Sequence, residues 1–287
     1  MAKTLLQLVS QDGIVYAPGV WDGLSARLAE QSGFAALCSS GFAIAASLGL
    51  PDAEVFTATE NLEAVRKIRE SSSLPIIADI DTGYGNAVNA ARTAAAFRRA
   101  GVQAVFMEDQ VSPKRCPICV GEPVELTSLG EAVGKVRAVV DVMEGKVIVV
   151  ARTDSVGEEA LERAKAYADA GADMIMPVSK TFSSLDEWKQ CHQITGKPLV
   201  ASLTAWTWVE REFTEQAMRQ VGVKIALLPT QVVLAASTAM RDVLRRLAGG
   251  ETSSTVSSDY MEHAEFVDLI GFAELEARAL EYLPPSI

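Results

Sequence analysis

Acidic side chains stand at the ends of two consecutive apolar stretches, each as long as a buried strand. Asp79 and Asp81 follow one stretch, and Glu108 and Asp109 follow the next. Carboxylate oxygens are the ligands that Mg²⁺ prefers, and this ion takes one or two of them directly and others through water. We therefore predict a divalent-metal site among these four acids, of which alternation along the strands turns only some inward. The alternative is that these acids cap helices or pair with surface lysines.

A thiol lies on an unusually long loop shortly after these acids. About 17 residues without clear periodicity separate Asp109 from the helix expected near Thr127, whereas comparable loops have about 2–6, so the segment is predicted to be a lid. It carries Lys114, and Cys116 follows two residues later. Cationic neighbours favour a thiolate, and a closing lid would bring this group to a bound substrate. Alternatives are an incidental thiol or an oxidised Cys116–Cys119 pair.

Two further strand ends carry groups that suit an anionic ligand. Arg152 follows Val147–Ala151, and a guanidinium can hold a carboxylate with two hydrogen bonds and stabilise an oxyanion. A salt bridge with Glu108 or Asp154 is the other interpretation. Ser39–Gly41 could grip a carboxylate or carbonyl, although a tight turn would explain the same residues.

Short β-branched stretches alternate with helical patterns throughout the chain, which is typical of parallel strands joined by crossover helices. Eight strands are predicted, at Ile14–Ala17, Ala35–Cys38, Pro75–Asp79, Ala104–Glu108, Lys146–Ala151, Met174–Met176, Leu199–Ser202 and Lys224–Leu228. Eight such units close a (β/α)₈ barrel of the TIM type, and the active sites of these barrels lie at the carboxyl ends of the strands.

The chain has 287 residues, 49% of them hydrophobic, and a formal charge of −11. This composition is that of a globular protein, and its negative charge argues against nucleic-acid binding. No stretch approaches the roughly 20 apolar residues that span a bilayer, and the first ten residues predict an amphipathic helix rather than a secretory signal, so a cytoplasmic location is expected. A dianionic substrate would need a metal or an arginine close by.

The last part of the chain is predicted to lie outside the barrel. We place the barrel in residues 1–248 and an extension in residues 249–287. In this extension the polar segment Gly249–Ser258 precedes an amphipathic helix over Asp259–Leu283. A helix on such a tether can pack on its own barrel or on that of a neighbouring subunit.

Neither the cysteine pair nor the histidines complete another kind of site. A structural zinc ion usually has four ligands, and Cys116 and Cys119 have no second pair or nearby histidine in the sequence. His192 and His263 do not stand at predicted strand ends, which argues against a histidine-based nucleophilic triad.

Taken together, these motifs resemble the isocitrate lyase and phosphoenolpyruvate mutase superfamily from about Val15 to Leu247. The motifs are Ser40-Gly41-Phe42, Leu50-Pro51-Asp52, Ala78 to Asn86, Glu108-Asp109-Gln110, Pro113 to Cys116 and Ala151-Arg152-Thr153. The resemblance implies a barrel that binds Mg²⁺ or Mn²⁺ and a 2-oxo or 2-hydroxy acid. It also implies dimers or tetramers that exchange the terminal helix between subunits.

The resemblance assigns roles to individual residues. Asp79, Asp81 and Glu108 would hold the metal, and the catalytic residues would be Arg152, Lys114 and Cys116, whose thiol would return a proton to the departing enolate. The substrate-binding residues would be Ser40, Gly41, Phe42, Asp52, Arg152 and Thr204.

Two departures from the lyase pattern bear on the substrate. Pro117-Ile118 replaces the usual Gly-His after the cysteine, and Ala205 follows Thr204 where lyases tend to carry a glutamate. The leading hypothesis is a Mg²⁺-dependent lyase that cleaves a C–C bond of a small 2-hydroxy dicarboxylate of the alkylmalate type through a metal-stabilised enolate. Alternatives are a phosphonopyruvate-type mutase or hydrolase, an oxaloacetate-acting enzyme, or a non-enzymatic thiol-switch binding protein.

Overall fold

Eight parallel strands close into one barrel in the computed structural model, which describes residues 3–120, 123–257 and 260–283. The strands are β1 (Val15–Val20), β2 (Leu37–Ser39), β3 (Ile76–Asp79), β4 (Ala104–Met107), β5 (Ile148–Thr153), β6 (Met174–Pro177), β7 (Leu199–Ser202) and β8 (Val223–Leu228). They pair in chain order, and β8 pairs with β1. The predicted (β/α)₈ class is confirmed, and all eight predicted strands are present with small differences at their ends.

Helices follow the strands around the barrel. They are α1 (Leu5–Val9), α2 (Gly23–Gln31), α3 (Gly41–Ser47), α4 (Ala58–Ser71), α5 (Ala87–Arg99), α6 (Leu129–Met143), α7 (Gly157–Asp169), α8 (Leu185–Thr195), α9 (Trp208–Glu212), α10 (Glu215–Gln220), α11 (Gln231–Ala248), α12 (Ser253–Val256), α13 (His263–Leu269) and α14 (Phe272–Tyr282). Within the described ranges, no helix has the length and apolar character needed to cross a membrane.

Side chains along each strand alternate between two cores because successive residues point to opposite faces. Ile77, Phe106 and Val150 belong to the buried cluster inside the barrel, whereas their neighbours pack outward against the helices. Helix α1 contributes Leu5 to the inner cluster, and the Leu5 N–H donates to Gln103 Oε1 at 2.7 Å. The amino end of the barrel is therefore filled, which leaves the carboxyl end for a ligand.

The predicted long loop connects β4 to α6. Its base is joined by an antiparallel bridge between Gln110 and Leu126. Lys114 and Cys116 are only 2% and 6% exposed, so this part of the loop lies against the barrel rather than in solvent. Residues 121 and 122 of the loop fall outside the described residues.

The chain divides into two compact units, Met1–Val233 and Leu234–Ile287. The single terminal helix predicted over Asp259–Leu283 is wrong, because α13 ends at Leu269 and α14 begins at Phe272. Gly271 separates them with φ of +83°, a left-handed conformation that glycine adopts without steric cost and that an α-helix cannot continue through. Asp259 itself lies outside the described residues. The polar segment before it contains the one-turn helix α12.

Candidate active site

Carboxylates from neighbouring strands meet at the carboxyl end of the barrel. Asp79 ends β3, Asp81 lies two residues later, and Glu108 follows β4 directly. The ammonium of Lys114 lies between them: its Nζ is 2.7 Å from Asp52 Oδ1, 2.9 Å from Asp81 Oδ1 and 3.8 Å from Glu108 Oε1. The acids therefore converge as the sequence predicts, and the loop supplies a cation at their centre.

Arg152 is the second cation of this group. Its Nη1 lies 2.6 Å from Glu108 Oε2, and its Nη2 donates to Asp154 Oδ1 at 2.9 Å. Arg152 therefore forms salt bridges with both Glu108 and Asp154, the two partners considered from the sequence. They hold the guanidinium in place, and the residue still borders the cavity described below.

Negative charge exceeds positive charge in this buried group. Burial, and then the charge of Asp81, raise the pKa of Asp79 to about 7. Burial also raises the pKa of Glu108 well above its usual range, although Arg152 and Lys114 oppose the shift. Burial lowers the pKa of Lys114, but Asp81, Glu108 and Asp52 outweigh it and hold this pKa well above the ordinary value. The carboxyl groups therefore remain short of positive charge.

The residues fit a divalent cation such as Mg²⁺ or Mn²⁺. All the donors are carboxylate oxygens, which suit hard cations. Asp81 Oδ1 and both carboxylate oxygens of Glu108 are buried and accept no hydrogen bond of good geometry. Within the described parts of the chain, no three aspartate, glutamate, histidine or cysteine side chains are already arranged to coordinate a metal ion. The ammonium of Lys114 lies among the candidate ligands instead. An ion would thus need this side chain to withdraw.

Hydrogen bonds orient Asp79 and Asp81. Asp79 Oδ1 accepts the Asp81 N–H at 3.0 Å, and Asp79 Oδ2 accepts the Gly41 N–H at 3.2 Å. A Cβ on Gly41 would lie 2.7 Å from Asp79 Oδ2, so only glycine permits this approach. The Tyr84 hydroxyl donates to Asp81 Oδ2, and Asn61 Nδ2 donates to Tyr84 at 3.0 Å. The carboxylates are therefore set in fixed directions before any ligand binds.

Asp109 faces away from this group and supports the neighbouring strand. Its Oδ2 accepts the hydroxyls of Thr153 at 2.8 Å and Tyr167 at 2.7 Å, and its Oδ1 accepts the Asp154 N–H at 2.9 Å. Thr153 and Asp154 directly follow Arg152. Asp109 is therefore positioned to fix the end of β5 that carries the guanidinium.

Cys116 borders the same cavity with a protonated thiol. Burial, and then the charge of Asp52, raise the pKa of Cys116 to about 12. The expectation that cationic neighbours favour a thiolate is therefore wrong. Lys114 directs its charge to Asp52 and Asp81 instead, and the thiol itself is buried. A neutral thiol suits proton donation to an enolate carbon.

Glu54 joins the loop to the β3 end of the barrel. Its Oε2 accepts the Lys114 N–H at 3.0 Å, and its Oε1 accepts the Thr82 hydroxyl at 2.6 Å. The Cys116 N–H also donates to the Asp52 carbonyl at 3.2 Å. These bonds seat the loop on residues 52–54, with Lys114 and Cys116 turned inward.

A cavity of about 660 Å³, including its open mouth, lies over the barrel end. One side carries the charged residues Asp79, Lys114 and Arg152. The ends of β6, β7 and β8 contribute Met176, Val178, Ser179, Lys180, Ser202, Thr204, Leu227, Pro229 and Thr230. Apart from the exposed Lys180, this β6–β8 wall therefore offers methyl groups and hydroxyls rather than charges.

The predicted substrate-binding residues occupy different places around this cavity. Ser40, Phe42, Asp52 and Thr204 line it, whereas Gly41 lies behind Asp79. The Ser40 hydroxyl donates to the Pro229 carbonyl at 2.9 Å, and this bond ties β2 to the end of β8.

Trp206 and Trp208 follow β7 closely in the chain but do not line this cavity. Trp206 is 74% exposed. Trp208 packs edge-on against Phe213, and its Nε1 donates to the Ser179 carbonyl at 2.8 Å. Trp208 therefore has a structural role.

Sequence reasoning missed several residues of the site. Ser202 ends β7 and Thr230 follows β8 closely, so the rule that polar residues at strand ends mark the site could have found both. Glu54 lies in the connection between α3 and α4, and no pattern in the sequence points to its contact with a loop 60 positions later.

Comparisons with known proteins agree with this geometry. The family model for phosphoenolpyruvate phosphomutase matches residues 5–248. The chain is 37% identical to 2-methylisocitrate lyase of Aeropyrum pernix, with 96% of this chain and 89% of that protein covered. It is 35% identical to 2,3-dimethylmalate lyase of Eubacterium barkeri, with 96% and 95% covered.

Two solved structures extend the likeness to three dimensions. Phosphoenolpyruvate phosphomutase from Streptomyces platensis subsp. rosaceus superposes with a TM-score of 0.89 at 29% identity, covering 98% of both chains. Phosphonopyruvate hydrolase in complex with oxalate and Mg²⁺ superposes with a TM-score of 0.82 at 31% identity, covering 94% of this chain and 95% of that one. With the family match and these identities over nearly its whole length, the chain belongs to the phosphoenolpyruvate phosphomutase family and is an enzyme of the isocitrate lyase/PEP mutase superfamily.

Proposed function

We propose that the protein is a Mg²⁺-dependent or Mn²⁺-dependent lyase that cleaves a C–C bond of a small 2-hydroxy dicarboxylate carrying alkyl substituents. The observation that carries this proposal is the mixed lining of the cavity. Its charged residues Lys114 and Arg152 suit the hydroxy-acid end of the substrate, and Met176 and Leu227 suit alkyl groups. The likeness to 2,3-dimethylmalate lyase supports the same substrate class.

A tricarboxylate fits this cavity less well than a dicarboxylate. Of the described residues that line the β6–β8 wall, Lys180 alone is cationic; its side chain is exposed, and its Nζ donates to the Val120 carbonyl at 3.2 Å. A third carboxylate would therefore face hydroxyls and methyl groups without a buried cation, and an unpaired buried charge is costly. This argues against methylisocitrate as the preferred substrate.

Asp79, Asp81 and Glu108 would hold the metal ion, directly or through water. When bound, such an ion supplies positive charge opposite the oxygens of a 2-oxo or 2-hydroxy acid. Lys114 neutralises the same acids when the loop is seated, so the ammonium and the ion would compete for this position.

Two of the remaining steps would fall to the chain's own residues. The 2-hydroxyl gives its proton to water, and cleavage of the C–C bond then turns the alkoxide carbon into the carbonyl of a 2-oxo acid and leaves the bonding electron pair on the departing acid as an enolate. The guanidinium of Arg152, fixed by Glu108 and Asp154, would donate hydrogen bonds to the oxygens on which negative charge develops. The Cys116 thiol would then give its proton to the enolate carbon and recover one from water.

A substrate screen tests the proposal. We expect metal-dependent release of pyruvate or another 2-oxo acid from dialkylmalates, with kcat/KM at least about 100-fold higher than for 2-methylisocitrate, since a buried unpaired carboxylate is discriminated strongly. Faster turnover of the tricarboxylate would overturn the substrate assignment. No release from any 2-hydroxy diacid would overturn the lyase assignment.

Phosphorus–carbon chemistry on a phosphonopyruvate-like acid is the second candidate. It is favoured by the superposition with phosphoenolpyruvate phosphomutase and by the hydroxyls of Ser179, Ser202 and Thr204, which suit phosphonate oxygens. Assay of phosphonopyruvate under the same conditions separates the two. Turnover that survives replacement of Cys116 by serine would favour this chemistry, which does not need the thiol.

We also propose that the protein forms dimers or tetramers in which terminal helices are exchanged. The C-terminal unit exposes large apolar side chains that water disfavours, including Leu244 at 65%, Leu275 at 62% and Leu280 at 87%. Light scattering coupled to size-exclusion chromatography should find an oligomer, and L275E combined with L280E should dissociate it. A wild-type monomer at micromolar concentration would contradict this.

A further inference from the structure

The second cysteine of the C-x-x-C sequence lies against the candidate proton donor. Cys119 Sγ is 3.0 Å from Cys116 Sγ, and both are free thiols. A tight turn holds them together, because the N–H groups of Cys119 and Val120 donate to the Cys116 carbonyl at 3.0 and 3.1 Å. The two sulfur atoms can therefore approach bonding distance with little movement of the backbone.

The two thiols differ in access. Cys116 is buried in the wall of the substrate cavity, whereas Cys119 is exposed. Cys119 borders a second, mostly apolar cleft on the outer side of the loop, between Leu50, Pro51 and Arg115, and Cys116 reaches this cleft as well. A small molecule can thus reach Cys119 while the loop is seated over the substrate cavity.

The other cysteines are shielded. Cys38 and Cys191 are both fully buried. Burial also raises the pKa of Cys191 to about 12 and that of Cys38 well above the usual range, and neither thiol is exposed to an oxidant in solution. Oxidation would therefore be directed to the loop.

We propose that Cys119 and Cys116 form an oxidation site for hydrogen peroxide or a small organic hydroperoxide, which converts the pair into a reversible disulfide. The Cys119 thiolate attacks the O–O bond, takes one oxygen as a sulfenic acid and releases the other as water or an alcohol. Cys116 then attacks the sulfenic sulfur, and its proton leaves with the displaced hydroxyl as water. Two thiols and one peroxide thus give one disulfide and, with hydrogen peroxide, two waters.

The disulfide removes the S–H bond that faces the substrate. Loss of activity on oxidation rests on the proposed role of Cys116, whereas formation of the disulfide does not. The enzyme would thus be switched off by peroxide and restored by a dithiol, without loss of the loop's seat on Glu54.

The test combines alkylation, mass spectrometry and activity. The full-length wild-type enzyme, C119S and C116S are treated with hydrogen peroxide, trapped with iodoacetamide and digested. We expect a peptide cross-linked between Cys116 and Cys119 in the wild type only. Activity should fall in parallel and return with dithiothreitol. C119S should keep its basal activity and show at least tenfold slower dithiothreitol-reversible inactivation.

The outcomes separate the two proposals. Absence of the cross-link in the wild type, or equal reversible inactivation of C119S, overturns the oxidation site. A cross-linked enzyme that retains full activity leaves the oxidation site standing and overturns the role of Cys116 in the reaction. Because the disulfide is detected by mass spectrometry, its formation can be measured without knowing the substrate.

Discussion

Lys114 Nζ lies 2.9 Å from Asp81 Oδ1, so a lysine from the loop occupies the centre of the carboxylate group at the barrel end. The same ammonium contacts Asp52 at 2.7 Å. Loop position and the charge of the site are thus coupled: seating the loop brings one positive charge among the acids, and withdrawal of the Lys114 side chain leaves them free for another cation.

Removing this charge should strengthen metal binding. In K114M the repulsion between the ammonium and a dication is gone, so we expect Mn²⁺ affinity to rise by about tenfold or more, while turnover falls because the loop loses its ion pairs. Isothermal titration calorimetry measures the affinity, with K67M, a change at an exposed lysine, as the control. Unchanged or weaker Mn²⁺ binding in K114M would show that the ammonium and the ion do not compete.

Replacement of Cys116 by serine should affect turnover far more than binding. Proton donation matters in the transition state, and its loss typically costs about 100-fold or more in rate. We expect kcat to fall to that extent with little change in the affinity for a 2-oxo acid product, measured by inhibition. C119S is the matched control with normal kcat. A C116S enzyme with wild-type kcat would remove the thiol from the mechanism.

Alkylation of Cys116 should depend steeply on pH. Because burial and Asp52 raise the pKa of Cys116 to about 12, the thiolate is scarce at pH 7, and its fraction grows about tenfold with each pH unit up to that value. Iodoacetamide labelling of C119S, mapped to Cys116 by mass spectrometry, should still be rising at pH 9.5. In urea the same cysteine should level off near its ordinary pKa of about 8.5. A labelling rate that stops rising below pH 9.5 in the folded protein would contradict this prediction.

Glu54 should hold the loop in its seated position. In E54Q one of the two acceptor oxygens becomes an amide donor facing Thr82 or the Lys114 N–H, so a bond worth about 1 kcal/mol is lost and the loop should open about fivefold more often. Limited trypsin cleavage after Arg115 measures the opening, and E63Q, at an exposed glutamate, is the control. Equal cleavage rates would mean that Glu54 does not restrain the loop.

Asp109 should be a stability residue whose loss also disturbs Arg152. Asp109 accepts hydrogen bonds from the hydroxyls of Thr153 and Tyr167 and from the Asp154 N–H. In D109N an amide NH₂ group replaces one of the accepting oxygens, so a buried N–H donor would face these other donors. We expect a loss of about 2–4 kcal/mol in unfolding free energy by urea denaturation, with reduced kcat. D12N, at an exposed aspartate, should change it by less than about 0.5 kcal/mol. A fully stable D109N would refute this support role.

Much of the fold could be predicted because it follows from local patterns. Apolar stretches with strand length recur between helical segments. The first polar residue after such a stretch lies at or near the end of the strand, as Asp79 does in β3 and Arg152 in β5. Gly271 is also a sequence signal for the break in the terminal helix, but the amphipathic pattern on both sides of it predicts one continuous helix.

The sequence by itself determined the barrel, the group of acids at its carboxyl end and the family motifs, because strand order and alternation place these residues on one rim. Only the tertiary structure decided that Asp109 turns outward to Tyr167, that Lys114 enters the acid group, that Glu54 seats the loop and that Cys116 keeps its proton. These outcomes depend on burial and on contacts between segments far apart in the chain, for which local residue preferences carry no information.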